Sequence, residues 1–210
     1  EMIRTFIANG ADGHAFDPIV ASGANSCTLH YTKNNAVMHS GDLLLLDFGS
    51  EYNGYAADMS RTLPVSGSFT PRQRELYQAV LDAQKAAIGL IKPGVTIKEI
   101  NKATERFLEQ RMVDLNLLKQ TEIDNQPEDA PLYKKYFMHG TCHFMGLDVH
   151  DVGDTAAVLE PGMILTCEPG IYISEEQIGV RIENDILVTE SGAHDLMERV
   201  PREANEMERQ

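Results

Sequence analysis

The stretch that most constrains this chain is residues 43–64, LLLLDFGSEYNGYAADMSRTLP. An apolar run leads into Asn53-Gly54, and a second strand-like run follows. Asn-Gly between two such runs is the strongest short hairpin signal, because a two-residue turn there needs positive φ. With Asn53 and Gly54 as the loop, Asp47 falls opposite Ser60, and Asp58 becomes a diagonal neighbour of Asp47 on the same face, within side-chain reach. A slip of one residue would send the two acids to opposite faces. Residues 163–173 (MILTCEPGIYI) and 179–189 (GVRIENDILVT) repeat the design, as two strand-like runs joined by a polar loop and carrying Glu168 and Glu183. Between the hairpins lies the segment 139–151, HGTCHFMGLDVHD, which holds His139, His143 and His150. Two acid-bearing hairpins and a histidine cluster predict a metal site built on a sheet.

Asp47, Asp58, Glu168 and Glu183, once brought together, cannot all ionise without compensation, since like charges raise one another's pKa. Two dications supply a formal +4 against −4, and one neutral imidazole adds no charge. The set therefore fits a dinuclear centre in which some carboxylates bridge. Oxygen-rich ligation favours harder ions such as Mn2+ over thiolate-preferring zinc. Two such ions can activate water and polarise a carbonyl, which is metal-assisted hydrolysis. In the last strand Arg181, Glu183 and Asp185 alternate with Val180, Ile182 and Ile186. One face should pack on helices and the other should be strongly charged. A solvated outer face gives the same alternation, and it is the repeated pairing of acids that points to chemistry.

The rest of the chain supplies a frame. Residues 2–10 read as a helix end stopped near Gly10, 17–26 as a turn-rich link, and 27–32 (CTLHYT) as a strand with Thr28, His30 and Thr32 on one face. Thr70-Pro71-Arg72-Gln73 opens a helix with a capping box and proline at its first position. Leu76, Val80, Ala83, Ala87 and Leu90 then form its apolar face, and Pro93-Gly94 ends it. Thr96-Ile97-Lys98-Glu99 is a second capping box, starting a helix to about Val113 with Ile100, Ala103 and Phe107 on one face. Residues 115–136 are polar and broken by Pro127 and Pro131, and read as a long loop. Residues 201–210 are charged and read as a frayed end.

At 210 residues, with 42% hydrophobic and 24% charged residues, the chain has the make-up of one ordinary globular domain. A net charge of −14 argues against nucleic acid and anionic membrane surfaces as partners. No apolar run approaches the ~20 residues of a membrane span, and no signal-peptide pattern opens the sequence. Cys27, Cys142 and Cys167 form no CxxC and no disulfide framework, so a reducing, cytoplasmic setting is expected. Cys142 and Cys167 each precede a proposed ligand by one residue, and on strands such neighbours face opposite ways. Both therefore read as core. His39 and His194 read as surface residues.

Taken together, DFG(x)8D, HGTCHFMGLDVHD, EPGIY and GVRIEND resemble, in this order, the catalytic domain of the Xaa-Pro aminopeptidases (aminopeptidase P). That group stands with prolidase and methionine aminopeptidase among the pita-bread metallopeptidases. The resemblance runs from about Thr28 to Thr189. It implies an α+β pita-bread fold, a curved antiparallel sheet with pseudo-twofold halves and helices on its outer face. It implies two divalent ions, Mn2+ first and Zn2+ or Co2+ as alternatives. Asp47 would bind one ion, Asp58 and Glu183 would bridge both, and His143 and Glu168 would complete the other. Glu168 would also be the general base. His139 and His150 match family histidines that contact substrate and stabilise the tetrahedral intermediate, and His30 matches one at the substrate pocket. Arg181 matches an arginine near the metal centre, where it could hold Asp47 or Glu183 by charge-assisted hydrogen bonds.

The resemblance further implies peptide substrates with proline at the second position, and homo-oligomers of the full-length protein. It also implies more N-terminal helix and a separate N-terminal domain. The expectation is a catalytic domain over residues 1–210, N-terminally truncated, with that separate domain absent. An Xaa-Pro dipeptidase (prolidase) is the alternative within the enzyme class, and methionine aminopeptidase fits the motifs less well. From a different class, a non-catalytic pita-bread peptide-binding module would lack several of the acids, whereas this chain keeps all five ligand candidates.

Overall fold

The structure, a computed structural model, describes residues 1–208. It opens with α1 (Met2–Ala8) and two short strands, β1 (Gly13–His14) and β2 (Ile19–Ser22). The first hairpin follows as β3 (Leu43–Phe48), β4 (Ser50–Tyr52), β5 (Tyr55–Ala56) and β6 (Met59–Pro64). Then come α2 (Pro71–Leu90), α3 (Ile97–Asp114) and α4 (Gln120–Ile123). The second hairpin is β7 (Ile164–Cys167), β8 (Gly170–Ile173), β9 (Ile178–Arg181) and β10 (Asn184–Thr189), with β11 (Gly192–Asp195) and α5 (Ala204–Met207) after it. Every strand pairing is antiparallel.

Both hairpins keep one register along their length, yet each is split at the level of its acids. In the first, Asp47 pairs with Ser60 and Tyr52 with Tyr55, so Asn53-Gly54 is the two-residue turn, with φ +51° and +78°. The ladder lapses at Gly49, Ala57 and Asp58. A Cβ on Gly49 would lie 1.6 Å from the Ala57 carbonyl oxygen, so only glycine allows the arms to cross this closely. Beyond the crossing, β4 and β5 join β1, while β3 and β6 join β2. In the second hairpin, Cys167 pairs with Asn184 and Gly170 with Arg181, which sets Glu168 level with Glu183 in the gap between the two ladders.

The helices lie on one side of this framework. Leu76, Tyr77 and Val80 of α2 and Leu108 and Met112 of α3 pack with Ile171, Ile173, Val180 and Ile182. Further along α2, Ala87 joins Ile91, Ile97 and Ile100 against Leu165, Cys167, Ile186 and Val188. Both capping boxes form, Thr70 with Gln73 and Thr96 with Glu99. The buried face of α3 is Ile97, Ile100, Thr104, Leu108 and Met112; of the expected Ile100, Ala103 and Phe107 face, Ile100 is buried and Ala103 and Phe107 are half-buried, and Leu90 is exposed at the end of α2. Among the described residues no helix is long and apolar enough to cross a membrane.

Four sequence expectations give way. Residues 27–32 do not form a strand. Gly23–Cys27 is a 3-10 turn whose Ser26 Oγ accepts the Gly179 N–H at 2.8 Å, so this segment packs against β9 and does not pair in a sheet. Part of the link 17–26 is the strand β2, which pairs with β3. The stretch 115–136 holds α4 and a 3-10 turn at Leu132–Lys135, and Leu115, Leu118 and Tyr136 anchor it in the core. The C-terminal segment is not frayed over 204–207. A capping box between Glu203 and Glu206 opens α5, and Ala204 is buried; residues 209–210 lie outside the described residues.

Gly49→Ala should lower the melting temperature of the metal-free chain by an amount matching at least about 1–3 kcal/mol, the usual range for overpacking. Thermal unfolding checks this, and a melting temperature equal to the parent's would show that the hairpin arms do not cross as described.

Candidate metal centre

The two gaps in the hairpins open onto one cavity of about 530 Å³. Asp47, Asp58, His139, His143, His150, Glu168, Arg181 and Glu183 line it, with His30 and Thr32 at another wall. All nine sequence-chosen residues are therefore on one cavity. Phe16, Ile19, Leu29 and Val149 supply apolar wall. Cys167 is fully buried in the core as expected, whereas Cys142, also packed in the core, contributes to the cavity wall.

Ligand atoms of Asp58, His143 and Glu183 all lie within 4.8 Å of one another. His143 Nε2 is 3.7 Å from Asp58 Oδ2 and 3.5 Å from Glu168 Oε1. Its Nδ1 sits 3.0 Å from the Phe144 carbonyl oxygen, which can only accept, so Nδ1 carries the proton. Burial also pushes the His143 pKa down to about 4, so the ring is neutral near pH 7. Its Nε2 therefore presents a lone pair to two carboxylates. Asp47 Oδ1, Asp58 Oδ1 and Glu183 Oε1 are buried with no hydrogen-bond partner. Convergent acceptors without a donor are what a cation completes, and a histidine whose second nitrogen is tied to a backbone carbonyl is the usual form of a metal-ligating imidazole. The residues present fit a divalent metal centre.

The electrostatics agree. Asp58 is pushed up to about 9 by burial and by the charges of Asp47, Glu168 and Asp185. Glu168 rises to about 8 through burial, with Arg181 opposing and Asp47 adding to the rise. Glu183 is also raised, first by burial and then by Asp58. Arg181 is 3% exposed and gives Nη2 to Asp47 Oδ2 at 2.6 Å, Nε to Ser60 Oγ at 2.8 Å and Nη1 to Tyr172 Oη at 3.0 Å. Ser60 Oγ donates in turn to Glu183 Oε2 at 2.7 Å. Arg181 thus holds Asp47 directly and Glu183 through Ser60. His139 donates from Nδ1 to the Gly140 carbonyl at 2.8 Å and accepts from Tyr172 Oη at Nε2, also 2.8 Å. Its pKa falls to about 4, mainly through burial.

Several supporting residues escaped the sequence reading. Ser60 and Tyr172 share Arg181, and Asn101 Oδ1 on α3 accepts the backbone N–H groups of Thr141 and Cys142 at 3.0 and 3.2 Å, fixing the histidine segment. Thr166 Oγ1 accepts the His143 N–H at 3.2 Å. Apart from Tyr172 and Arg181, which lie on the paired strands β8 and β9, the partners are far apart in sequence, so no spacing could reveal them. Only Asp185 carried a signal, the charged face of its strand.

A match to metallopeptidase family M24 runs over residues 1–190, and the chain belongs to that family. Xaa-Pro aminopeptidase of Escherichia coli (strain K12) is 42% identical over 220 residues, 99% of this chain and 49% of that relative. The Haemophilus influenzae Xaa-Pro aminopeptidase is 44% identical, covering 99% of this chain and 51% of its own length. Human Xaa-Pro aminopeptidase 3 is 40% identical over 96% of this chain and 41% of its own. The chain thus spans about half the length of the curated relatives it matches. Among solved structures, proline aminopeptidase P II from Yersinia pestis superposes with a TM-score of 0.91 at 40% identity, covering 98% of this chain and 50% of that one. Zinc-substituted E. coli aminopeptidase P in complex with product gives 0.90 at 41% identity, covering 97% and 49%. The fold is the pita-bread α+β fold of aminopeptidase P, as the motifs implied.

The raised carboxylates set a pH dependence for the metal-free chain. A folded-state pKa above the unfolded one means stability present at low pH and lost as pH rises through the folded value. His139 and His143 are neutral in the folded state above pH 7, and an unfolded histidine, with its usual pKa of about 6.5, is largely neutral by about pH 7.5, so between about pH 7.5 and 9 the Asp58 and Glu168 shifts dominate among these four. The melting temperature of chelator-treated protein should fall across that window, and a divalent ion should remove most of the slope. A flat profile without metal would contradict the acid cluster.

Proposed function

We propose that this chain is the catalytic domain of an Xaa-Pro aminopeptidase, hydrolysing the first peptide bond of peptides with proline at the second position. The observation that carries this is the cluster of Asp47, Asp58, His143, Glu168 and Glu183 on one cavity, where Asp47, Asp58 and Glu183 each keep an unsatisfied acceptor, in a chain 40–44% identical to enzymes of that name. Asp47, Asp58, His143, Glu168 and Glu183 would hold two divalent ions, Mn2+ by preference given the oxygen-rich donor set. Bound metal would supply Lewis acidity for the scissile carbonyl and lower the pKa of water.

The protein groups do the rest. Glu168, which burial holds protonated near neutral pH in the metal-free chain, would be kept as the carboxylate by a neighbouring cation; in that form it takes the proton of the attacking water and delivers it toward the leaving proline nitrogen. His150 lies with its ring 4.1 Å from that of His143 and faces the cavity, placed to donate to the developing oxyanion. His139, neutral and fixed by Tyr172 and Gly140, presents an imidazole edge to substrate. Arg181 holds Asp47 in place through its 2.6 Å hydrogen bond. The apolar wall of Phe16, Ile19, Leu29 and Val149, with His30, offers a surface for a proline ring. The three free thiols suit a reducing compartment, the cytoplasm.

Glu168→Gln keeps one ligand oxygen but accepts no proton in the same way. It should slow turnover of an Xaa-Pro peptide by roughly two to four orders of magnitude, the usual scale of general acid–base catalysis. Metal content measured on the same samples separates this from metal loss. Near-parent turnover at full occupancy would rule out Glu168 as the base. Turnover of Xaa-Pro dipeptides in preference to longer Xaa-Pro peptides would favour the dipeptidase reading, and removing the metal should abolish either activity.

A further inference from the structure

Asp47, Asp58, Glu168 and Glu183 converge in this cavity, with the exposed Asp17 also on its lining, yet Arg181 lies among the four, bonded to Asp47 at 2.6 Å. Counting that guanidinium, the set carries a formal −3, one short of two dications. Asp185 is a further buried carboxylate beside this set. It is 4% exposed, in β10, two residues beyond Glu183 and on the same charged face. Its Oδ2 accepts the backbone N–H of Asp58 at 3.1 Å, across the hairpin interface, and its Oδ1 is buried with no partner. Asp58 lies in the irregular step where the first hairpin loses its ladder, so its N–H has no strand partner and depends on this carboxylate.

We propose that Asp185 is a positioning residue for the metal centre. It fixes the backbone from which Asp58 projects, and it supplies the charge that offsets Arg181, so that the protein presents −4 to two dications without using a fifth carboxylate as a ligand. This rests on the dinuclear reading of the site. A buried side chain kept for packing or for its hydrogen bond alone stabilises the folded chain whether or not metal is bound. A buried carboxylate kept for its charge does the opposite in the metal-free state, where it adds to the repulsion felt by Asp58. The two roles therefore differ in sign.

Asp185→Asn keeps an acceptor oxygen for the Asp58 N–H and removes the charge. Titration calorimetry with Mn2+ and thermal unfolding without metal should be run on the parent chain and the variant at the same pH. The expected result is a dissociation constant for Mn2+ raised ~10- to 100-fold, the range found for groups that support metal ligands, beside a metal-free melting temperature at or above the parent's. An unchanged Mn2+ affinity, or a metal-free melting temperature that falls while affinity holds, would overturn the proposal. Asp185→Ser, smaller and still an acceptor, is expected to behave as Asn does, and it replaces Asn should that variant fail to fold. Failure of both to fold as metal-free chains would show a structural role and overturn the proposal as well. If the parent itself binds no divalent ion, it is the dinuclear reading that fails.

Discussion

The structure depends on a conflict it holds in place: four buried or half-buried carboxylates share one cavity with a single guanidinium. Sheet pairing alone would not tolerate them at this separation, because each charge disfavours its neighbours. The fold opposes this with hydrophobic burial on the other side of the same strands. Val180 and Ile182 pack on the helices, while Arg181 and Glu183 between them turn into the cavity. Strand alternation thus ties the core to the site, and neither face can slip without the other. The gaps in both hairpins follow from the same conflict. At Gly49–Asp58 and Glu168–Glu183 the ladder gives up its regular bonds, and the freed backbone is satisfied by the Asp185 side chain, the Thr141 carbonyl and the Ser60 carbonyl.

Arg181 is the pivot of the arrangement. Its three bonds reach Asp47, Ser60 and Tyr172, and through the last two it orients Glu183 and His139. Removing one partner of a buried ion pair strands the other and costs about 3–5 kcal/mol. The pair is best understood as fixing geometry before a metal arrives, with little net stabilisation of its own.

Much of this was legible in the sequence. Asn53-Gly54 fixed the first register because only a two-residue turn with positive φ closes that hairpin, and Asp47 pairs with Ser60 accordingly. The helix starts at Thr70 and Thr96 were legible because a capping box is local chemistry. The five ligand candidates were legible through paired acids and, more sharply, through their resemblance to a known family. What escaped was set by long-range contact. The strand-like CTLHYT yields to a turn because Ser26 meets the backbone of Gly179, where a Cβ would lie 2.1 Å from the Ser26 carbonyl oxygen. The stretch 115–136 gains order from Leu115, Leu118 and Tyr136 in the core, not from local propensity. Asn101, Ser60 and Tyr172 look like ordinary helix and strand residues until the fold brings their partners to them.

The central claim is that this carboxylate cluster exists to hold two divalent ions. A crystal of the protein grown with Mn2+ and measured at the manganese absorption edge tests it most directly. Two anomalous peaks are predicted within the cavity, in contact with Asp47, Asp58, His143, Glu168 and Glu183, with Arg181 still bonded to Asp47. A single peak, peaks elsewhere, or an empty cavity at saturating Mn2+ would contradict it.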